Sequence, residues 1–237
     1  MKSFAVKAGS AMQFKRLFLL TALSLGLNNL SFANGNPDIL DYHDALWRAH
    51  PFYFGAAVGF GSTDWSQLIP HCNPMDYLCD KSMLYWSAPK EAGDKGLVHG
   101  FTLGYEVKPS WAVEVNYLHF PTTLIQFDEV SFYPEVTIRS YTYAVFGVAK
   151  FMTQIANTGF RGYANAGIDF TSRNDPLTQT VRVAPTFGVG INYVLASRAM
   201  FELGFQYIAG FGICDEIPAK HYIPFLYAIT LKIMYRI

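Results

Sequence analysis

The 237-residue chain is short of charge, short of cysteine and without long apolar runs beyond its N-terminal region. Charged residues make up 15%, against about 25% in an ordinary soluble domain, and 18 Lys+Arg balance 18 Asp+Glu. With no net basic field, nothing favours a nucleic-acid partner. Of the three cysteines, Cys72 and Cys79 stand close together and Cys214 stands alone. No second pair or nearby histidine pair gives them the spacing of a zinc site, and a lone His71 beside Cys72 adds none, so neither a metal nor a cofactor is expected. No internal run reaches about 18 consecutive apolar residues, which excludes helical membrane spans there. What is abundant is apolar and aromatic: 51% and 16% of the chain, with 20 Phe and 15 Tyr. That excess without spanning helices leaves a β-barrel as the membrane candidate, because only helices and closed barrels satisfy their backbone in hydrocarbon.

The last stretch, Phe225 to Ile237, alternates with period two: Phe225, Tyr227, Ile229, Leu231, Ile233, Tyr235 and Ile237 share one face. Successive side chains of a strand point to opposite faces. A soluble strand is usually about 5 to 6 residues long, whereas a tilted membrane-crossing strand needs about 9 to 11. The apolar face therefore suits lipid, and Lys232 and Arg236 on the other face need water or carboxylates.

The N-terminus reads as an export signal. Lys2, Lys7, Lys15 and Arg16 precede the apolar run Leu17 to Leu27, and Ser31-Phe32-Ala33 offers small residues where a signal peptidase cleaves,. Residues 1–33 form this segment, with Met1 and Met12 both available as starts, and residues 34–51 form a polar periplasmic lead-in. In an oxidising compartment Cys72 can pair with Cys79, leaving Cys214 free, or one of them can pair with Cys214.

From 52 to 237 the same alternation recurs in eight segments: Phe52–Gly61, Leu97–Val107, Trp111–His119, Val136–Val148, Gly159–Phe170, Thr180–Tyr193, Ala199–Ala209 and the closing one. The fourth is ambiguous. One phase turns Val136, Ile138, Thr142, Ala144, Phe146 and Val148 outward, the other Tyr141, Tyr143 and Val145, and the first is adopted. Pro185 lies inside the sixth, where a missing N–H suggests a bulge. Long connections (63–95, 120–135, 171–179, 210–222) alternate with shorter ones (108–110, 149–158, 195–198). An even strand number, short turns on one side and long loops on the other describe an all-β, eight-stranded antiparallel up-and-down transmembrane barrel.

On these residues the chain resembles the small eight-stranded bacterial outer-membrane barrels of the OmpA transmembrane domain and OmpX type. The resemblance covers Phe52 to Ile237 and rests on the repeated pattern and the closing strand. It implies the outer membrane of a Gram-negative cell envelope, contact with outer-membrane lipids, and recognition of the C-terminal strand by the barrel assembly machinery. Ile229, Leu231, Ile233 and Tyr235 match such a signal, while Ile237 replaces the usual terminal aromatic residue.

The adopted phases put Glu106, Glu114, Asp169 and Glu202 in the lumen with Arg139, Arg161, Arg182, Lys232 and Arg236. Near-balanced charge in a barrel this narrow favours a filled, paired interior. Exposed aromatic residues of the longest connection, Trp65, Tyr77, Tyr85 and Trp86, are the expected contacts of a surface-interaction protein, possible partners being host or matrix molecules, or else the barrel serves envelope integrity. A narrow channel for small or hydrophobic solutes and a lipid-modifying enzyme are the alternatives. Enzyme chemistry is not expected: His99 and His119 point outward without a serine or acid partner, and Asp64, Asp128 and Asp215 lie on loops. The protein should fractionate with the outer membrane and run differently on gels before and after heating. Recovery in the soluble periplasm would overturn the barrel.

Overall fold

A computed structural model describes residues 49–65, 91–93, 95–127, 136–156, 158–195, 198–210 and 222–237. The segment read as an export signal, most of the expected lead-in and all three cysteines lie outside these residues. Among the described residues ten strands are formed: β1 Phe52–Asp64, β2 Glu91–Gly93, β3 Lys95–Lys108, β4 Trp111–His119, β5 Thr123–Phe127, β6 Val136–Gln154, β7 Phe160–Asp175, β8 Thr178–Val194, β9 Ala199–Ile208 and β10 Phe225–Arg236. Eight of them close on themselves in the order β1, β3, β4, β6, β7, β8, β9, β10, with every neighbour antiparallel and β10 paired back onto β1. The short β2 and β5 extend the upper part of β6 into a small second sheet at the end away from the termini.

The register fixes the barrel's shape. Stepping across paired residues from Tyr53 leads through Gly104, Glu114, Val148, Gly167, Thr186, Ile208 and Leu226 to Thr63, ten residues further along β1. Such a stagger inclines the strands by roughly 35–45° to the barrel axis and leaves an interior just wide enough for side chains.

The outward face is apolar throughout the middle of the strands, with Leu103, Val115, Ile168, Val189, Leu203 and Leu231 all exposed. Aromatic pairs bound this band. At the end of tight turns lie Phe52–Tyr105, Trp111–Phe151 and Phe160–Tyr193, and at the other end Tyr207–Tyr227 and Tyr117–Tyr143. An apolar belt between two aromatic girdles is the lipid-facing surface of a transmembrane barrel.

Seven of the eight barrel strands keep the phase read from their alternation. The fourth reverses it: in β6 Tyr141 and Val145 face outward while Thr142, Ala144, Phe146 and Val148 are buried. Phe146 and Val148 belong to an apolar layer inside the barrel, so both faces of this strand are apolar and alternation cannot tell them apart. The expected turn at 149–158 is shorter, because β6 continues to Gln154. It is closed by the Ile155 N–H donating to the Phe160 carbonyl at 2.9 Å, with Ala156 in the left-handed region at φ 49°. The expected loop at 171–179 is two extended strands joined at Pro176-Leu177, where Asp175 Oδ1 accepts the amides of Leu177 and Thr178 at 3.0 and 3.1 Å. Above the lipid both faces of a strand tolerate polar residues, so that stretch lacks an apolar signature. The 120–135 connection does extend its hairpin beyond the membrane, through β5.

Pro185 makes no bulge. Its register with Ile168 is unbroken, and the β8–β9 ladder has its last pair at Thr186 and Ile208. The Pro185 carbonyl accepts the Ala209 N–H at 3.1 Å, so the missing donor falls on the side where the ladder has already ended.

Small inward residues make room for long ones from neighbouring strands. A Cβ on Gly104 would lie 2.2 Å from the Tyr53 ring, and one on Gly204 would lie 2.0 Å from the Tyr163 hydroxyl. Gly147 faces open space. Gly104→Ala should therefore destabilise the barrel by about 1–3 kcal/mol through overpacking, and Gly147→Ala should be near neutral, measured as the temperature at which the folded gel band is lost. Equal effects would refute this account of the lumen.

Candidate functional site

Inward side chains stack in layers along the axis. At the end of tight turns Glu106 Oε1 accepts from Arg161 Nη2 at 2.9 Å and from Arg236 Nη2 at 2.5 Å. Arg161 also donates through Nε to Asn192 Oδ1 at 2.9 Å. One layer higher, Glu114 and Glu202 share two lysines. Lys150 contacts Glu114 at 2.6 Å and also pairs with Glu202, while Lys232 lies 2.9 Å from Glu202 and 3.4 Å from Glu114. The Tyr53 hydroxyl donates to Glu114 at 2.7 Å, and Asn116 Oδ1 accepts from Thr102 at 2.7 Å and from Lys232 at 3.1 Å. The Lys150 ammonium stands 4.1 Å from the centre of the Tyr163 ring. Each of these three carboxylates touches two cations, the arrangement that buried charge requires.

Above the charges the lumen turns apolar. Ala57, Val98, Leu118, Phe120, Ala144, Phe146, Val148, Ala184, Ile208, Leu226 and Ala228 form one buried cluster drawn from every barrel strand except β7. At this level β7 contributes Asp169, fully buried, with one oxygen accepting the Thr171 hydroxyl and the other without a hydrogen-bond partner. No cation among the described residues pairs with it.

A cap closes the outer mouth. Trp65 is 1% exposed and packs with Ile125, Ile138 and Tyr222. The Arg173 guanidinium lies 4.7 Å from the Trp65 ring and is held by Asp175 at 2.5 Å and the Tyr222 carbonyl at 2.7 Å. The Tyr222 hydroxyl in turn donates to the Asp64 carbonyl at 2.6 Å. Trp65 is thus a cap residue rather than an exposed loop contact. It continues the inward phase of β1 above Thr63, where the small sheet covers it. Tyr77, Tyr85, Trp86, Cys72 and Cys79 lie outside the described residues.

Glu106, Glu114, Arg161, Asp169, Glu202, Lys232 and Arg236 all lie buried in the lumen; Arg139 and Arg182 do not. Arg139 is on the outward face because the phase of β6 is reversed. Arg182 is exposed because β8 stands above the end of its ladder with β9, so its inner face meets no neighbour. Lys150, Tyr53 and Tyr163 complete the network. Tyr53 and Tyr163 were visible as inward positions, whereas Lys150 fell in a stretch read as a turn.

Outside the cap, β6 parts from β7 above the Tyr141–Asn174 pair to join β5. The opening is a groove of about 620 Å³ lined by Thr137, Ile138, Arg139, Tyr141, Asn174, Asp175 and Pro176. Asp175 is already engaged by Arg173 and by Ser140 at 2.9 Å. Arg139 is left without a hydrogen-bond or ion-pair partner among the described residues, beside the exposed ring of Tyr141. Groups of three or more metal-ligating side chains do not occur among the described residues, nor does a serine or acid accompany His99 and His119, whose rings stack on each other.

Breaking a buried pair leaves an uncompensated charge and costs about 3–5 kcal/mol. Glu114→Gln, which strips Lys150 and Lys232 of one carboxylate each, should lower the unfolding free energy in denaturant by about 3 kcal/mol or more. Asp169→Asn removes a carboxylate that has no cation and should leave stability unchanged or raised. A large loss from Asp169→Asn would refute its isolation.

Solved structures with a similar chain course include Neisserial surface protein A (12% identity, 78% of this chain and 97% of that one, TM-score 0.49). Others are OprG from Pseudomonas aeruginosa (13%, 79% and 98%, 0.47) and the N-terminal β-barrel domain of Pseudomonas aeruginosa OprF (10%, 79% and 98%, 0.44). No curated protein sequence matches the chain. The family model described as outer membrane protein beta-barrel domain matches residues 20–222, most of the chain, and the protein belongs to that family of outer-membrane barrels.

Proposed function

We propose that the protein is a non-conducting outer-membrane scaffold whose outer end makes surface contacts, in adhesion or host contact, or which supports envelope integrity. The observation that carries this reading is the apolar layer across the lumen, lying between the paired charges and the Trp65 cap. An ion passing along the axis would have to shed its water beside Leu118, Phe146 and Leu226, where Asp169 is the one buried charge among the described residues of that level and the other polar groups are neutral. Desolvating a charge in this way is costly. A narrow channel is correspondingly disfavoured.

The groove beside Arg139 supports surface contact. A guanidinium without a partner beside an aromatic face suits a ligand that carries a carboxylate, phosphate or sulfate group. The segment 66–90, with Tyr77, Tyr85 and Trp86, is the second expected contact.

Purified folded protein in planar bilayers should give no stable channel, and steady single-channel steps would replace this reading with the channel. Deleting 66–90 should leave a heat-modifiable, membrane-inserted barrel but remove the adhesion of expressing cells to host cells or matrix. Unchanged adhesion would exclude that segment as the contact. If wild-type cells do not adhere at all, envelope integrity is favoured over adhesion.

A further inference from the structure

From the girdle at the tight turns up to the level of Tyr143 in the outer girdle, the outward face of the eight barrel strands is made of apolar, small and tyrosine side chains, with two exceptions among the described residues. Those exceptions are His99 on β3 and His119 on β4. They are direct cross-strand partners, and their rings stack with centroids 5.0 Å apart. An ionisable group within a membrane-spanning segment is a functional-site hypothesis by default, and near the interface its cost is small. That the two imidazoles of this surface among the described residues touch each other is a feature of the register, since they are twenty positions apart in sequence.

The surroundings narrow what the pair can bind. Val58 is the register neighbour of His99 on one side and Tyr143 that of His119 on the other. Phe101 and Tyr117 stack one pair further toward the membrane centre. No carboxylate faces the rings from these strands. In the neutral imidazole one ring nitrogen carries a free lone pair, which a metal cation can take up directly. Two metal–nitrogen bonds of about 2.0–2.1 Å can bridge a ring spacing of 5.0 Å after rotation of the side chains, and Tyr143 or water can complete the coordination shell. Imidazole nitrogen favours copper, zinc and nickel over magnesium and calcium.

We propose that His99 and His119 together bind a first-row divalent transition-metal ion at the outer rim of the lipid-facing surface, clipping β3 to β4. The site is independent of whether the lumen conducts or the outer groove binds a ligand.

The probe is Cu²⁺ added to the full-length mature protein, folded in a phosphate-free non-ionic detergent. Electron paramagnetic resonance should show one bound ion with two nitrogen donors, and titration should show competition by Zn²⁺ but not by Mg²⁺. His99→Phe and His119→Phe each place an apolar ring on a lipid-facing position, so folding should persist, as checked by heat-dependent gel mobility. Each should weaken Cu²⁺ binding on the order of ten-fold or more, and the double variant should lose the two-nitrogen signal. A His71→Ala, His221→Ala variant should keep it. Unchanged Cu²⁺ affinity in the double variant, or no two-nitrogen site in the wild type, would overturn the proposal.

Discussion

Hydrocarbon offers no partner to a peptide N–H or C=O, and the whole molecule follows from that. A sheet in this environment cannot have an open edge, so β10 must return to β1, which it does from Tyr53–Arg236 to Asp64–Phe225. Closure with a ten-residue stagger sets the tilt and makes the interior narrow. A narrow interior must then satisfy its own polar groups, because little water can enter to do it.

The lumen meets that demand by sorting. Charges lie in the inner half, where three glutamates each meet two cations, and hydrocarbon fills the level above them. Buried ion pairs contribute little net stability compared with well-packed apolar residues. They do discriminate between registers: Lys232 stands directly opposite Glu202, and a slip of one residue would turn one of them toward lipid. The charges therefore bear on uniqueness of pairing more than on free energy. Asp169, bonded to Thr171 and without a cation among the described residues, is the exception to the sorting.

The proposed non-conducting axis places the proposed function at the rim: the outer end, where β6 forks away from β7 beside Arg139, and the outward face near the headgroups, where His99 meets His119. Both juxtapositions arise because strands extend past or pair with one another at defined registers, and neither proposal needs the lumen to open. The cap of Trp65, Arg173 and Tyr222 ties β1, β7 and the segment before β10 together.

The alternation of single strands determined the barrel, its eight spanning strands, their inward and outward faces in seven cases, and the inward placing of Glu106, Glu114, Arg161, Asp169, Glu202, Lys232 and Arg236. It could do so because lipid outside and a polar lumen inside impose opposite demands on successive residues. Where the two demands coincide, the pattern is silent. Phe146 and Val148 face an apolar layer inside as well as lipid-facing neighbours outside, so the phase of β6, and with it the place of Arg139 and Lys150, was decided only in the assembled barrel. Above the membrane the outside is water, and strand, turn and loop look alike there, which hid the β7–β8 hairpin and made Trp65 seem exposed. Pairings such as Glu114 with Lys150 and Lys232, or His99 with His119, depend on register across strands, a long-range quantity fixed by closure and packing together.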